Sequence, residues 1–230
     1  MPTVTNRPRP RRRVSASRWR LAPPAQARSR ETVDRFALAA EELLRERPFE
    51  EIGVQDIVRR AGRPIGSFYA RFASKEALLP FLYARYHEGL EALIAAQLAR
   101  VSWTRLGYAR CVAEVVDLIL ATYLERRWLI RALALFARVR PEALPRDIVE
   151  RRRRAYEPLV AVLLRHRARI AHDDPEAAIR FGVFVVSSVA REKLLFADAP
   201  LARVTPIEQP VLRSELIRVL GAYLAAEAPR

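Results

Sequence analysis

The chain of 230 residues is poor in several residue types that mark common protein classes. Its one cysteine, Cys111, excludes a disulfide framework within the chain and favours a reducing cytoplasm, and we expect it to be a small buried apolar residue rather than a redox sensor. Only seven glycines occur, and neither Asn-Gly nor Asp-Gly, so an all-α fold is predicted. No apolar run approaches the length of a membrane span, and we expect no membrane partner.

The residues of common catalytic sites are also sparse. The three histidines, His87, His166 and His172, have no metal-ligand spacing. A Gly-rich phosphate loop, a G-x-S-x-G motif and an H-E-x-x-H motif are all missing from the sequence. We therefore expect no enzymatic activity, no metal and no cofactor, with a helical enzyme kept as the alternative.

Positive charge is concentrated at the N-terminus. Residues 1–30 carry nine arginines and no acid, hence +9, whereas the remaining 200 residues carry 32 basic and 26 acidic side chains, a net +6. Prolines and a lack of apolar periodicity predict a disordered Arg/Pro-rich basic arm over residues 1–29. Such an arm can follow DNA phosphates or enter a minor groove, or it can be a solvated tail or a misassigned translation start.

Residues 54–72 predict two short helices joined by a tight turn. On the first helix, apolar residues recur at i, i+3, i+4 and i+7: Val54, Ile57, Val58 and Ala61. Gly62 follows where a helix commonly ends in a left-handed residue, a conformation that glycine adopts without steric cost. Pro64 then suits the first turn of the second helix, because its missing N–H would have no partner there.

The second predicted helix separates an apolar face from a polar one. Phe68 and Phe72 form an i, i+4 pair that we expect to face inward. The outward positions are Ser67, Tyr69, Ala70 and Arg71, with Lys75 just beyond. A glycine turn between two helices and an outer face of hydroxyl and cationic groups are typical of a helix-turn-helix, with any apolar αα-hairpin as the alternative.

The flanking sequence extends this pattern. A helix is predicted from Glu31 to Arg47, with Pro48 stopping it, and Ser74 is expected to cap a fourth helix that opens at Lys75. Residues 30–76 are thus predicted to form a helix-turn-helix DNA-binding domain.

The region from about Arg30 to Leu79 resembles the N-terminal domain of the tetracycline-repressor (TetR) type of bacterial transcriptional regulators. Four segments carry the resemblance: Phe36 to Leu44, Val54 to Gly62, Gly66 to Phe72, and Ser74 to Leu79. They cover about a fifth of the chain. The rest is similar to the family only in being helical.

The resemblance implies roles for individual residues. Ser67, Tyr69 and Lys75 match phosphate-contact positions, which fix register without reading sequence. Positions that meet base edges are matched by Pro64, Ile65, Gly66, Ala70 and Arg71. Among these, Arg71 is the best candidate to read a guanine, because a guanidinium pairs bidentately with that base.

Three further positions have two interpretations each. Gln55 can reach a phosphate or a base. Ile65 either packs on a thymine methyl or belongs to the flank of the apolar stripe. Arg63, where the family commonly has a small apolar residue, adds a cation beside DNA or is a solvated charge.

Residues 77–230 are predicted to form a helical domain for effector binding and dimerisation. Helices are expected over Lys75 to Ala99, Leu106 to Arg126, Trp128 to Arg138, Arg146 to Ala171, Pro175 to Phe196 and Glu208 to Glu227. Pro80 is expected in the second turn of its helix and Pro158 at a kink.

The helix from Pro175 is apolar on more than one face, so it must bury one face on its own core and another on something else. With the last helix it would form a two-fold, four-helix interface, the usual dimer of the family, unless it is enclosed by its own chain. The candidate interface residues are Phe181, Val185, Val189, Leu212, Leu216, Val219 and Tyr223.

Aromatic residues are scattered through the middle helices. The resemblance implies a ligand cavity there, for which the candidates are Tyr86, His87, Tyr108, Trp128 and Tyr156, although each can be ordinary core. A small hydrophobic or aromatic effector is the weakly supported partner. Residues 151–154, four consecutive arginines, are interpreted as a solvated helix face, with an acidic-ligand or membrane site as the alternative.

The sequence therefore predicts a cytoplasmic, homodimeric DNA-binding regulator without enzymatic activity. The resemblance favours a repressor that a ligand releases from a palindromic operator, through a fourth helix running from the DNA side into the body. A sequence-tolerant nucleic-acid binder driven by the basic arm is the main alternative.

Overall fold

The computed structural model describes residues 27–226. Within this range the backbone forms ten α-helices and no strand, which confirms the all-α prediction. The helices are α1 (Ala27–Glu46), α2 (Val54–Arg60), α3 (Ile65–Tyr69), α4 (Leu78–Ala99), α5 (Tyr108–Leu124), α6 (Arg127–Val139), α7 (Ile148–Leu164), α8 (Pro175–Leu195), α9 (Pro200–Val204) and α10 (Gln209–Ala225). None of these described helices is long and apolar enough to cross a membrane.

Two hydrophobic cores organise the helices. The head core joins α1, α2 and α3 to the start of α4, around Phe36, Phe68 and Phe72. The rings of Phe36 and Phe68 meet edge to face at 5.2 Å, and the predicted pair of Phe68 and Phe72 packs inward at the same distance. The body core is built mainly from α5, α7, α8 and α10.

The turn between α2 and α3 has the predicted glycine geometry. Gly62 has φ +62°, the one positive φ among the described residues. Its N–H donates to the carbonyl of Arg59, and the N–H of Arg63 donates to the carbonyl of Val58. These two bonds satisfy carbonyls at the end of α2, the Schellman arrangement of a helix C-terminus.

Helix boundaries differ from the predictions at α3 and α4. The α3 helix ends at Tyr69, although the N–H of Phe72 still donates to the carbonyl of Phe68 at 2.9 Å. A 3-10 turn over Lys75–Ala77 precedes α4, which begins at Leu78. Pro80 therefore lies in the first turn of α4 rather than the second, where its missing N–H leaves no intrahelical bond unmade.

The body also departs from the sequence pattern in detail. The short α9 was not predicted, and α7 ends at Leu164, followed by a 3-10 turn over Arg167–Arg169. Pro158 lies inside α7, as expected. Gly182 lets α8 and α10 approach closely, because a Cβ atom there would lie 2.6 Å from the Leu220 side chain.

Two helices contribute to both cores. On α4, Leu82 and Tyr83 belong to the head core, whereas Leu90 and Ile94 belong to the body core. Helix α6 does the same: Leu129 and Leu133 pack in the head, and Ile130 in the body. The two cores are thus joined by continuous helices as well as by surface contacts.

Ion pairs reinforce this junction. Arg85 on α4 lies 2.8 Å from the carboxylate of Asp34 and 3.6 Å from that of Glu41, both on α1. Arg126, at the start of α6, lies 3.5 Å from Glu41. The first helix of the head is therefore bound electrostatically to the two helices that enter the body.

Candidate nucleic-acid interface and internal cavity

One face of α3 is buried in the head and the opposite face is open to solvent. Phe68 is fully buried, whereas Tyr69 is 54% exposed and Ile65 is 43% exposed. Gly66 and Ala70 are exposed beside them. Ile65 therefore lies outside the apolar stripe, on the side where it could pack on a base.

Three polar side chains on and beside this face, those of Ser67, Arg71 and Arg63, have partners within the head. The Ser67 hydroxyl donates to the carbonyl of Pro64 at 2.6 Å. Arg71 is half-buried, and one of its terminal nitrogens donates to the carbonyl of Ser67 at 3.2 Å. Arg63 forms an ion pair with Glu31 at 3.3 Å, while Gln55 is exposed near the start of α2.

Lys75 is held by the backbone of the head. Its ammonium group donates to the carbonyls of Phe49, Glu50 and Ile52 at 3.0, 3.0 and 2.9 Å. The same group lies 4.9 Å from the centre of the Phe49 ring, a cation–π contact. Since an ammonium has three N–H donors, this arrangement uses all of them, and the phosphate contact expected from the sequence requires one to be exchanged.

Asp56 is a structural residue of the interface that the sequence analysis missed. Its carboxylate accepts from the N–H of Gly53 at 3.0 Å and pairs with Arg47 and Arg59 at 2.6 Å each. The bond from Gly53, then the charges of Arg47 and Arg59, hold the pKa of Asp56 below its usual value. The signal was present in the sequence, because an acid three residues after an N-cap is the spacing of a capping box.

The basic arm predicted over residues 1–29 lies mostly outside the described residues. Only its last three residues fall within the described range, at the start of α1. Helix α1 therefore begins at Ala27, four residues before the helix start predicted at Glu31.

A cavity of about 190 Å³ that is partly open to solvent, which we call the internal cavity, lies where the two cores meet. Arg152, in its wall, is solvent-exposed. Three of the five predicted ligand residues, Tyr86, His87 and Tyr156, line it. Its wall also includes Tyr83 and Leu133, which belong to the head core. A second cavity of about 320 Å³ adjoins it and shares four lining residues: Tyr123, Arg152, Tyr156 and Arg191.

The other two predicted ligand residues lie elsewhere. The Tyr108 hydroxyl donates to the carbonyl of Gly221 at 3.0 Å, so this side chain joins α5 to α10. Trp128 packs against the head core, with the guanidinium of Arg45 5.0 Å from its ring centre. Neither is among the lining residues of these two cavities.

His87 is a strongly perturbed titratable group in the cavity wall. Burial, and then the charges of Arg152 and Arg151, lower the pKa of His87 to about 3. Its ring lies 4.7 Å from that of Tyr83 and 5.1 Å from that of Tyr86. The imidazole is therefore neutral at physiological pH.

An apolar surface follows the outer side of α8 and α10, and we call it the outer apolar face. Five of its side chains are exposed: Phe181, Phe184, Val189, Val211 and Val219. Val185 and Tyr223 are half-buried beside them. Leu212 and Leu216, predicted to lie in a dimer interface, are only 3% exposed and pack within their own chain, because they lie on the inner side of α10.

Comparison with known proteins identifies the head. Residues 38–80 match the family model of bacterial regulatory proteins of the tetR family. No curated protein sequence matches the chain.

Solved structures share the fold across both domains. A TetR family transcription regulator from Marinobacter aquaeolei VT8 is 16% identical, with a TM-score of 0.54, 86% of this chain covered and 97% of that chain. A regulatory protein of the tetR family from Rhodococcus RHA1 is 13% identical, with a TM-score of 0.57 and coverages of 86% and 98%. Salmonella enterica GusR is 19% identical, with a TM-score of 0.51 and coverages of 85% and 96%. Residues 38–80 are thus similar in sequence to the tetR family of bacterial regulatory proteins, and the chain shares the fold of solved TetR-family regulators.

Proposed function

We propose that this chain is a homodimeric repressor that binds a palindromic operator through α3 and releases it when a small molecule occupies the internal cavity. The main support for this proposal is that Tyr83 and Leu133 belong to the head core and also line the cavity. A ligand in contact with these side chains bears directly on the packing that positions α3.

The proposed DNA contacts lie on and beside α3. Ile65, Gly66, Ala70 and Arg71 are assigned to base edges, together with Pro64. Ser67 and Tyr69 are assigned to phosphates, with Lys75 and Arg63 adding positive charge, and Gln55 to a phosphate or a base. Arg71 would exchange its bond to Ser67 for a guanine.

Dimerisation is supported by the outer apolar face. Phe181 is 54% exposed and Phe184 is 63% exposed, and their rings lie 6.4 Å apart. A contiguous apolar surface of this kind is unusual for a monomer and is typical of a protein interface. Two copies joined by a two-fold axis would present two α3 helices to half-sites about one helical turn apart.

Selection of bound sequences from random duplex DNA tests the proposal. A dimer should enrich a palindrome with half-sites about 10 base pairs apart, centre to centre. The double variant Tyr69→Ala/Arg71→Ala should enrich no motif, whereas Arg154→Gln, which changes an exposed charge on α7, should enrich the same motif as the unaltered protein. Random sequences recovered with the unaltered protein would contradict the proposal.

The same experiment distinguishes the proposed repressor from the alternative, a sequence-tolerant nucleic-acid binder. Deletion of residues 1–26 removes most of the arm and leaves the described helices intact. The repressor should keep its motif and lose part of the salt dependence of binding, because fewer phosphates are neutralised. Loss of all sequence preference would favour the alternative.

A further inference from the structure

We propose that the internal cavity binds an organic carboxylate, with Arg152 and Arg191 holding the carboxylate and an aromatic or aliphatic body lying against tyrosines. This inference rests on the proposed function, since it names the chemical class of the ligand for the same cavity. It is carried by the charge, hydrogen bonding and shape of the cavity wall.

The wall carries positive charge without compensation. Three arginines line the inner cavity, namely Arg138 on α6, Arg152 on α7 and Arg191 on α8, and no aspartate or glutamate is among its lining residues. Charged side chains that converge from three helices on an otherwise aromatic cavity predict a ligand of opposite sign.

Three of the four consecutive arginines at residues 151–154 form ion pairs with carboxylates. Arg151 pairs with Asp147 at 2.7 Å, Arg153 with Glu157 at 3.9 Å and Arg154 with Glu91 at 3.9 Å. In residues 27–226, Arg152 alone among the four has no carboxylate within ion-pair distance, and it is the one that lines the inner cavity.

Arg191 supplies a second unpaired cation. It is half-buried, and its buried Nε atom has no hydrogen-bond partner among the residues that the structure describes. An unmet buried donor on a cationic group is costly, and a carboxylate is the acceptor whose geometry a guanidinium fits best. Arg152 and Arg191 line both cavities, so a ligand in either cavity can place its anionic group between these two side chains.

His87 adds a buried polar atom to the same wall. The residue is 3% exposed, and within the described part of the chain its Nδ1 atom has no hydrogen-bond partner. Because the ring is neutral, it can donate one N–H to a ligand without adding charge. A second polar atom of the ligand, or its carboxylate, would satisfy it.

The remaining wall favours a flat, apolar body. Four tyrosines line the inner cavity, namely Tyr83, Tyr86, Tyr123 and Tyr156, along with Leu90, Ile130 and Leu133. An engineered apolar cavity of about 150 Å³ holds benzene. The inner volume of about 190 Å³ and the adjoining 320 Å³ therefore accommodate a larger aromatic or aliphatic body.

Matched pairs of acids and neutral amides test the inference. Naphthalene-2-carboxylate, 4-phenylbutyrate and dodecanoate are each compared with the corresponding primary amide, with binding to the full chain measured by calorimetry. At least one carboxylate should bind about 10- to 100-fold more tightly than its amide, as expected for a charge-assisted pair. The preference should fall to near unity in Arg152→Gln/Arg191→Gln and persist in the control Arg154→Gln.

The outcomes separate this inference from the proposed function. Equal affinity for acid and amide in all three pairs, or a preference that survives Arg152→Gln/Arg191→Gln, would overturn the carboxylate assignment even if an operator is bound. A carboxylate preference that depends on both arginines, with operator affinity unchanged at saturation, would support the assignment and overturn ligand release. Tighter binding of alkyl sulfonates than of the neutral amides, without tighter binding of the carboxylates, would also overturn the carboxylate assignment.

Discussion

The ammonium nitrogen of Lys75 lies 3.0 Å from the carbonyl oxygen of Phe49 and 4.9 Å from the centre of the same residue's ring. Together with the carbonyls of Glu50 and Ile52, these contacts bind the 3-10 turn before α4 to the segment that follows α1. Lys75 therefore has a structural role within the head, separate from the phosphate contact expected from the sequence.

Replacing this lysine separates the two roles. We expect Lys75→Met to lower the free energy of unfolding by about 1–3 kcal/mol, because it removes charge-assisted hydrogen bonds and keeps the apolar stem. Urea unfolding measures the loss. An unchanged unfolding free energy, with the salt slope of DNA binding reduced by about 0.9, would instead identify Lys75 as a phosphate contact alone.

Two glycines of the helix-turn-helix give opposite predictions for the same substitution. Gly62→Ala should destabilise the protein by about 1–2 kcal/mol, because its φ of +62° is strained for any residue with a Cβ atom. In residues 27–226, no atom beyond the local backbone lies within 4 Å of a Cβ at either Gly62 or Gly66, so crowding contributes to neither effect. Gly66→Ala, within α3, should stabilise by up to about 1 kcal/mol. Thermal unfolding of the two variants measures these changes in stability. Equal changes would contradict the explanation from backbone conformation.

Protonation of His87 should appear in the pH dependence of stability. Its pKa is lowered to about 3 in the folded chain from an ordinary value of 6.5, so the unfolded chain takes up the proton first as pH falls. The stabilisation is complete above pH 6.5 and decreases toward pH 3, by up to about 1.4 kcal/mol per pH unit.

Comparison with His87→Gln isolates this effect from other titrating groups. Between pH 6 and pH 4.5 the unaltered protein should lose stability faster than the variant in urea unfolding. Parallel losses would show that His87 has an ordinary pKa in the folded state. The imidazole resonances in NMR provide an independent check, because His87 should remain neutral across this range.

The outer apolar face gives a prediction about assembly. Phe181→Glu/Val219→Glu places two carboxylates on exposed positions of α8 and α10, so the interface should fail without loss of folding. Sedimentation equilibrium should show the mass of one chain, 26.3 kDa, in place of twice that value. The control Val149→Glu changes an exposed valine of α7 outside this face and should remain a dimer. A double variant that remains dimeric would place the interface elsewhere.

Local patterns predicted the parts of this molecule that depend on neighbours in sequence. Gly62 and the pair Phe68 and Phe72 were predicted correctly, because helix periodicity and turn chemistry are local. The acceptors of Lys75 lie 23 to 26 residues upstream, so no short-range pattern indicates them. The same limit applies to Arg152. No short-range pattern distinguishes it from the adjacent arginines, and only the folded structure places it in the wall of the internal cavity.

The length of α4 has a consequence for control of the head. Its 22 residues span about 33 Å at 1.5 Å per residue, from the head core into the body. A pivot of about 5° at one end of such a rod shifts the other by about 3 Å, comparable with the rise of one base pair. With the pivot at Ala99, the displacement at Leu78 is about 1.6 times that at Tyr86. Under the proposed ligand release, such a pivot would disturb the match between two operator halves without unfolding the head.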